Sequence, residues 1–279
     1  MKQLTQTTTK GFTLVELVTV IIVLGVVSVG ISGFIRTGVE IYADVTERDQ
    51  IIGDSRFVVE RINRELRSAI PNSIRVTSDD NNQCLEFVPA EWVTFYTNLP
   101  VSPDTSLIVT VLELANNKAE YELEPDDFAI VYPTNNYDVY HEDSGKRRKI
   151  LSCTNDDDDC KRSDTTNGIA QLTITQAFLD HSPASRLYIA RKAVSYCVID
   201  SENRIYRNEN SLINNDQDLY TSGVLMAENL TNVLASGEMP FSVYEATLTR
   251  NGLVQIFLTF NRNQEIINFN SEVFIPNVP

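Results

Sequence analysis

Gly11, Phe12 and Glu16 are the residues whose types and order first suggest chemistry. Glycine lets a peptidase approach the backbone closely, so the Gly11–Phe12 bond reads as a cleavage site. Cleavage there would create an α-amino group on Phe12. Glu16 is the only ionisable side chain between Phe12 and Arg36. A charge in hydrocarbon costs about 2.5–3.5 kcal/mol at mid-span, less near an end, and normally has a partner. No cation lies within its own span, so the expected partner is the Phe12 amine, on the same chain or a neighbour. If the helix starts at Phe12, the two groups lie four residues apart on one face.

The other reactive side chains are less pointed. Cys84, Cys153, Cys160 and Cys197 make an even set, which fits an oxidising compartment. Four cysteines allow three pairings, and sequence does not choose among them. The favoured one joins Cys153 to Cys160 around a short polar loop, and Cys84 to Cys197 between two strand-like runs. Asp156, Asp157, Asp158 and Asp159 offer hard oxygen ligands of the kind calcium takes. The spacing and central glycine of an EF-hand are missing, so this block reads as a solvated tip. His141 and His181 are far apart and no CxxC occurs, which argues against zinc. Nucleophile elbows and Gly-rich phosphate loops are also absent from the sequence, so the chain does not read as an enzyme.

These residues need positioning elements. The run from Phe12 to Ile35 is apolar apart from Glu16 and long enough to cross a bilayer as a helix. An ordinary signal peptide would place its cleavage site after a shorter apolar core. Here the site precedes the core. Beyond Arg36 the steps of three and four continue through Ile41, Val45, Ile52, Val59, Ile62, Leu66 and Ala69, and Pro71 stops them. One helix is therefore predicted from Phe12 to Ala69, half in the membrane and half amphipathic. Arg56, Arg61, Arg64 and Arg67 read as a solvated face with i,i+4 pairs, or as inter-subunit charge contacts.

After Pro71 the period becomes extended. Strands are predicted at Cys84–Val88, Trp92–Tyr96, Leu107–Leu114, Phe128–Tyr132, Ile169–Thr175, Leu187–Ala190 and Ser195–Ile199. A three-stranded meander is expected from Phe241 to Ile275, turning at Asn251-Gly252. Its alternating Val254, Ile256, Leu258 and Phe260 are placed to cover the amphipathic helix. A polar insertion is read from about 135 to 167, with Lys146-Arg147-Arg148-Lys149 facing the aspartate block. The expected layout is a leader at 1–11, a transmembrane helix at 12–35, its amphipathic continuation at 36–70 and a β-rich head at 71–279. Formal net charge is −15, and the leader removes Lys2 and Lys10 from the mature chain. Such acidity suits a solvated head and argues against nucleic acid.

The sequence Lys10-Gly11-Phe12-Thr13-Leu14-Val15-Glu16, followed by the apolar run, resembles the processing signal of type IV prepilins and pseudopilins. The resemblance implies cleavage after Gly11 by a prepilin peptidase, N-methylation of Phe12 and an assembly role for Glu16. Further stretches, Arg56–Arg67, Val194–Val198, Arg204–Arg207 and Phe274–Pro279, resemble large minor pilins. The nearest are those of mannose-sensitive haemagglutinin (MSHA) pilus systems, with J-type pseudopilins of type II secretion more distant. The implied fold is α+β and pilin-like, a long N-terminal helix packed on an antiparallel β-rich head. Implied partners are the prepilin peptidase, other major and minor pilins through the N-terminal helix, and the inner membrane, with no cofactor. The head would lie in the periplasm before assembly and on the cell surface, in the pilus, afterwards. A type II secretion pseudopilin and a membrane-anchored adhesin are the alternatives.

Overall fold

The computed structural model describes residues 11–112, 124, 127–154, 168–211, 216–246, 251–263 and 265–275. The chain divides into two compact units, Met1–Ile51 and Ile52–Pro279. Helix α1 (Leu14–Leu66) supplies the described helix of the first unit and continues into the second. Its N-terminal part is long and apolar enough to cross a membrane, and the apolar window is wholly exposed. The protein is thus α+β, an apolar N-terminal helix and a head of antiparallel sheets.

In the second unit α1 buries Val58, Ile62 and Leu66 completely. Removing each such side chain from water stabilises the fold by about 1.5–3 kcal/mol. Ser55, which interrupts the apolar stripe in sequence, is also fully buried. The helix ends at Leu66 rather than Ala69. Ser68 N–H and Ala69 N–H bond the carbonyls of Glu65 and Leu66, three residues back, which tightens the last turn. Ala69 then bridges to Pro89.

Among the described residues the head contains three β-assemblies. A five-stranded antiparallel sheet is built from β1 (Arg75–Ser78), β2 (Asn82–Phe87), β9 (Lys192–Ile199), β10 (Arg204–Ser211) and β11 (Val224–Glu228), in that order. A closed six-stranded barrel follows the order β3 (Trp92–Asn98), β4 (Ile108–Leu112), β7 (Ile169–Ile174), β6 (Arg147–Thr154), β5 (Phe128–Val131) and β8 (Arg186–Ala190). The predicted meander is the third assembly, β12 (Phe241–Tyr244), β13 (Gly252–Arg262) and β14 (Glu265–Ile275).

Alternation explains the barrel. Val109, Val111, Ala170, Leu172 and Ile174 point inward and form one core with Ala129, Val131, Leu187 and Ile189. Strands β5 and β8 are buried on both faces, so they read as continuous apolar runs. Their outer residues Phe128, Ile130, Tyr188 and Ala190 join Ile70, Val88, Val139 and Tyr140 in a second core.

The region read as a solvated polar insertion from 135 is corrected over its described part. It forms helix α2 (Asn136–Tyr140), a 3-10 turn (Glu142–Ser144) and barrel strand β6. Three of its basic residues have partners among the described residues. Lys146 Nζ lies 3.2 Å from Asp138 Oδ2 and donates to Thr134 Oγ1 at 3.2 Å. The Arg147 guanidinium covers the Phe128 ring at 4.7 Å and donates to Val139 O at 3.2 Å. Arg148 donates to Ala177 O and Glu142 O at 3.0 and 2.8 Å. Burial lowers the pKa of both arginines, and Glu142 opposes that fall. Carbonyls and ring faces thus allow a basic run to line a barrel strand.

Candidate functional site: the N-terminal segment

Gly11, Phe12 and Thr13 precede the first helical residue, Leu14. All three are exposed, Phe12 to 84%. A Cβ added at Gly11 would meet nothing within 4 Å. The bond expected to be cut is therefore extended from the helix and open. Its glycine is not demanded by packing within the chain.

Glu16 has a partner that sequence reasoning missed. Thr13 N–H and Thr13 Oγ1 each donate to Glu16 Oε2 at 3.3 Å, and Glu16 N–H donates to Thr13 Oγ1 at 3.3 Å. Thr13 O accepts the first helical bond from Leu17 N at 3.2 Å. This is a capping box, with Thr13 as N-cap and Glu16 as the third helical residue. It satisfies N–H groups that a helix start leaves open, and it sets the carboxylate against the positive end of the helix dipole. The Thr-x-x-Glu spacing before an apolar run is its sequence signature. The span indeed offers Glu16 no cation, but Thr13 supplies an uncharged partner that a search for charge alone passes over.

A second correction follows. Phe12 lies outside α1, just ahead of the cap, so Phe12 and Glu16 are not an i,i+4 pair on one helical face. With Leu17 as the fourth helical residue, Phe12 and Leu17 occupy the positions of a hydrophobic staple. An amine on Phe12 would be one peptide unit from the Thr13 N–H that already bonds Glu16.

Further along, Ser32 Oγ donates to Ser28 O at 2.8 Å, and added Cβ atoms at Gly25, Gly30 and Gly33 would meet nothing. The helix runs unbroken through them.

The cysteines separate into two outcomes. Cys84 and Cys197 are bonded, as the favoured pairing expects. They sit directly opposite one another on β2 and β9, and both are fully buried. Cys153 is disulfide-bonded as well. Its expected partner Cys160 lies outside the described residues, as do Asp156, Asp157, Asp158 and Asp159. Among the described residues no group of three or more His, Cys, Asp or Glu side chains is placed to hold a metal. No family model, curated protein or solved structure matches the chain.

Proposed function

We propose that this chain is a minor subunit of a type IV pilus, of the MSHA kind, cut after Gly11 by a prepilin peptidase and N-methylated on Phe12. The observation that carries the reading is local. An exposed Gly11–Phe12 bond stands directly before a capped helix whose apolar span, up to Ile35, holds Glu16 as its only acid. The precursor resides in the inner membrane with its head in the periplasm, and the processed subunit enters the filament through its helix.

A membrane-spanning helix drawn out of lipid must find new apolar cover, and packing against other subunit helices provides it. Glu16 would then exchange its neutral Thr13 partner for a Phe12 amine. The head is a poor repeating unit for a narrow filament because three β-assemblies would crowd their neighbours. That favours initiation or the tip, among other major and minor pilins. In this reading the protein is a structural subunit, not an enzyme.

The test has two parts. Mass spectrometry of the mature protein should give Phe12 as the first residue, carrying a methyl group. Sheared filaments should contain the subunit at low abundance. An intact Met1, or a first residue after Ser32, would overturn the processing claim. Presence only in a secretion complex would point to a type II pseudopilin instead.

A further inference from the structure

Among the described residues strand β14 is the edge of its sheet and is paired on one side only. Its pairing with β13 runs through all eleven residues, Glu265–Ile275, without a register shift. Among the described residues no strand or loop backbone bonds its outer edge from Ile266 to Ile275. The other side of β13 is covered. Strand β13 is met by β12, by Thr231 N–H on Thr259 O and by Asn229 O on Asn261 N–H.

Soluble proteins usually blunt such an edge with proline, lysine, a bulge or a very short strand. Strand β14 has no proline, lysine or bulge and runs eleven residues, and Glu272 is the one charge on its outward face. Its outward residues are Ile266, Asn268, Asn270, Glu272 and Phe274, and Ile266 and Phe274 are each 62% exposed.

The spacing of these residues names an occupant. Ile266 and Phe274 lie four residues either side of Asn270. Place a second β14 antiparallel to the first, with the two Asn270 residues opposite each other. Ile266 then faces Phe274 of the second copy, Phe274 faces its Ile266, and Asn268 faces its Glu272. Glu265 faces Ile275. No two carboxylates are opposed, although the chain carries a net charge of −15. Shifting the register by two residues puts Ile266 opposite Glu272 or off the end of the strand. Cross-strand apolar pairs favour a register by about 0.2–1 kcal/mol each, and like charges directly opposite disfavour one.

We infer that β14 is a self-complementary docking edge for a second copy of this chain, forming a two-fold antiparallel strand pair centred on Asn270. Symmetric pairing of one patch with itself is the commonest geometry of oligomers. The pair would join two three-stranded sheets into one of six strands. It does not depend on the processing or pilus reading above.

Cysteine cross-linking of the full-length chain in membranes tests it. Asn270→Cys should give a disulfide-linked homodimer on mild oxidation. Asn268→Cys alone should not, because the two sulfurs would be offset by four residues, about 14 Å. Chains carrying Asn268→Cys and Glu272→Cys should cross-link when co-expressed. Adding Ile266→Lys to Asn270→Cys should lower dimer yield by about tenfold. Adding Phe274→Glu to that variant should restore the yield, since each lysine then faces a glutamate of the second copy. Within one chain those positions are eight residues apart and cannot pair. Equal cross-linking at positions 268 and 270, capture of a different protein by the Asn270→Cys variant, or no dimer at all would overturn the proposal. Positions 266 and 274 are exposed, and unchanged circular dichroism would exclude misfolding as the cause of a loss.

Discussion

Glu65 of α1 accepts a hydrogen bond from Arg207 Nε of β10 at 2.9 Å, while Arg61 Nε, one turn back on the helix, bonds the same carboxylate at 3.0 Å. Arg207 is the better buried partner, with its side chain 11% exposed. Burial opposes its charge, yet Glu209 and Glu65 beside it hold its pKa above the ordinary arginine value. The helix is therefore tied to the five-stranded sheet by charge. Arg207→Met should destabilise the fold by about 1–3 kcal/mol, between the values for a surface pair and a buried one. Glu65→Gln with Arg207→Met should cost less than the sum of the single changes. Thermal unfolding of the detergent-solubilised chain measures both, and strict additivity would show that the bond does not couple the two elements.

The Cys84–Cys197 bond closes a segment with a sequence separation of 113. Closing so long a loop restricts the unfolded chain strongly, and losing such a bond typically costs about 2–5 kcal/mol. The Cys84→Ala/Cys197→Ala pair should therefore melt well below the natural sequence. Because both sulfurs lie in fully buried residues, thiol reagents should leave the bond intact until denaturant is added. Alkylation of Cys84 in the native, reductant-treated protein would contradict this placement.

Alkaline pH should also weaken the head. The Tyr140 hydroxyl donates to Ser73 O at 2.9 Å beneath the Arg75 guanidinium. Burial, then the nearby Glu86, raises its pKa well above the ordinary tyrosine value. Burial and Glu65 raise that of Tyr196 in the same direction. Unfolded tyrosines ionise near pH 10 while these stay protonated in the fold, so the unfolded chain holds fewer protons. Stability is then fully present below about pH 10 and falls as pH rises beyond it. Tyr140→Phe should start about 1 kcal/mol less stable, for the lost bond, but decline less steeply. Melting temperatures from about pH 8 to 11 test this, and parallel curves for the two proteins would refute it.

Legibility in the sequence followed how far each element's signal was local. The β12–β14 meander was legible because Val254, Ile256, Leu258 and Phe260 alternate without interruption and all four are buried. Strand β6 was not, because Arg147 and Arg148 spend their charge on a ring face and on carbonyls distant in sequence. Strand β10 was hidden in the same way. Its Arg204, Arg207 and Glu209 answer Glu228, Glu65 and Lys192 on other elements. Barrel closure through β3 and β8 is a matter of long-range register, which periodicity does not contain. At the N-terminus the reverse held. Thr13 and Glu16 spelled a capping box in four residues, but the charge of Glu16 was the louder signal and masked its geometry.

That geometry sharpens the test of Glu16. The observed role, acceptor for the Thr13 N–H in the capping box, is now separable from the proposed one, counter-ion for a Phe12 amine in an assembled filament. Glu16→Gln keeps an acceptor able to close the box and removes the charge. Thr13→Val does the opposite, removing the hydroxyl partner and weakening the cap by about 1 kcal/mol while the carboxylate remains. If Glu16 serves assembly, Glu16→Gln should be cut normally after Gly11 and reach normal membrane levels. Its membrane residence should even be easier, since a charge has left the span. Filament initiation should fall, because a buried amine without its counter-ion costs about 3–5 kcal/mol. Thr13→Val should be processed and should initiate filaments at near-normal frequency. N-terminal mass spectrometry reads the cleavage, and counting filaments per cell reads the initiation. Equal piliation in Glu16→Gln and the natural sequence would leave Glu16 with the cap alone. A loss confined to Thr13→Val would make helix capping, rather than charge, the requirement for assembly.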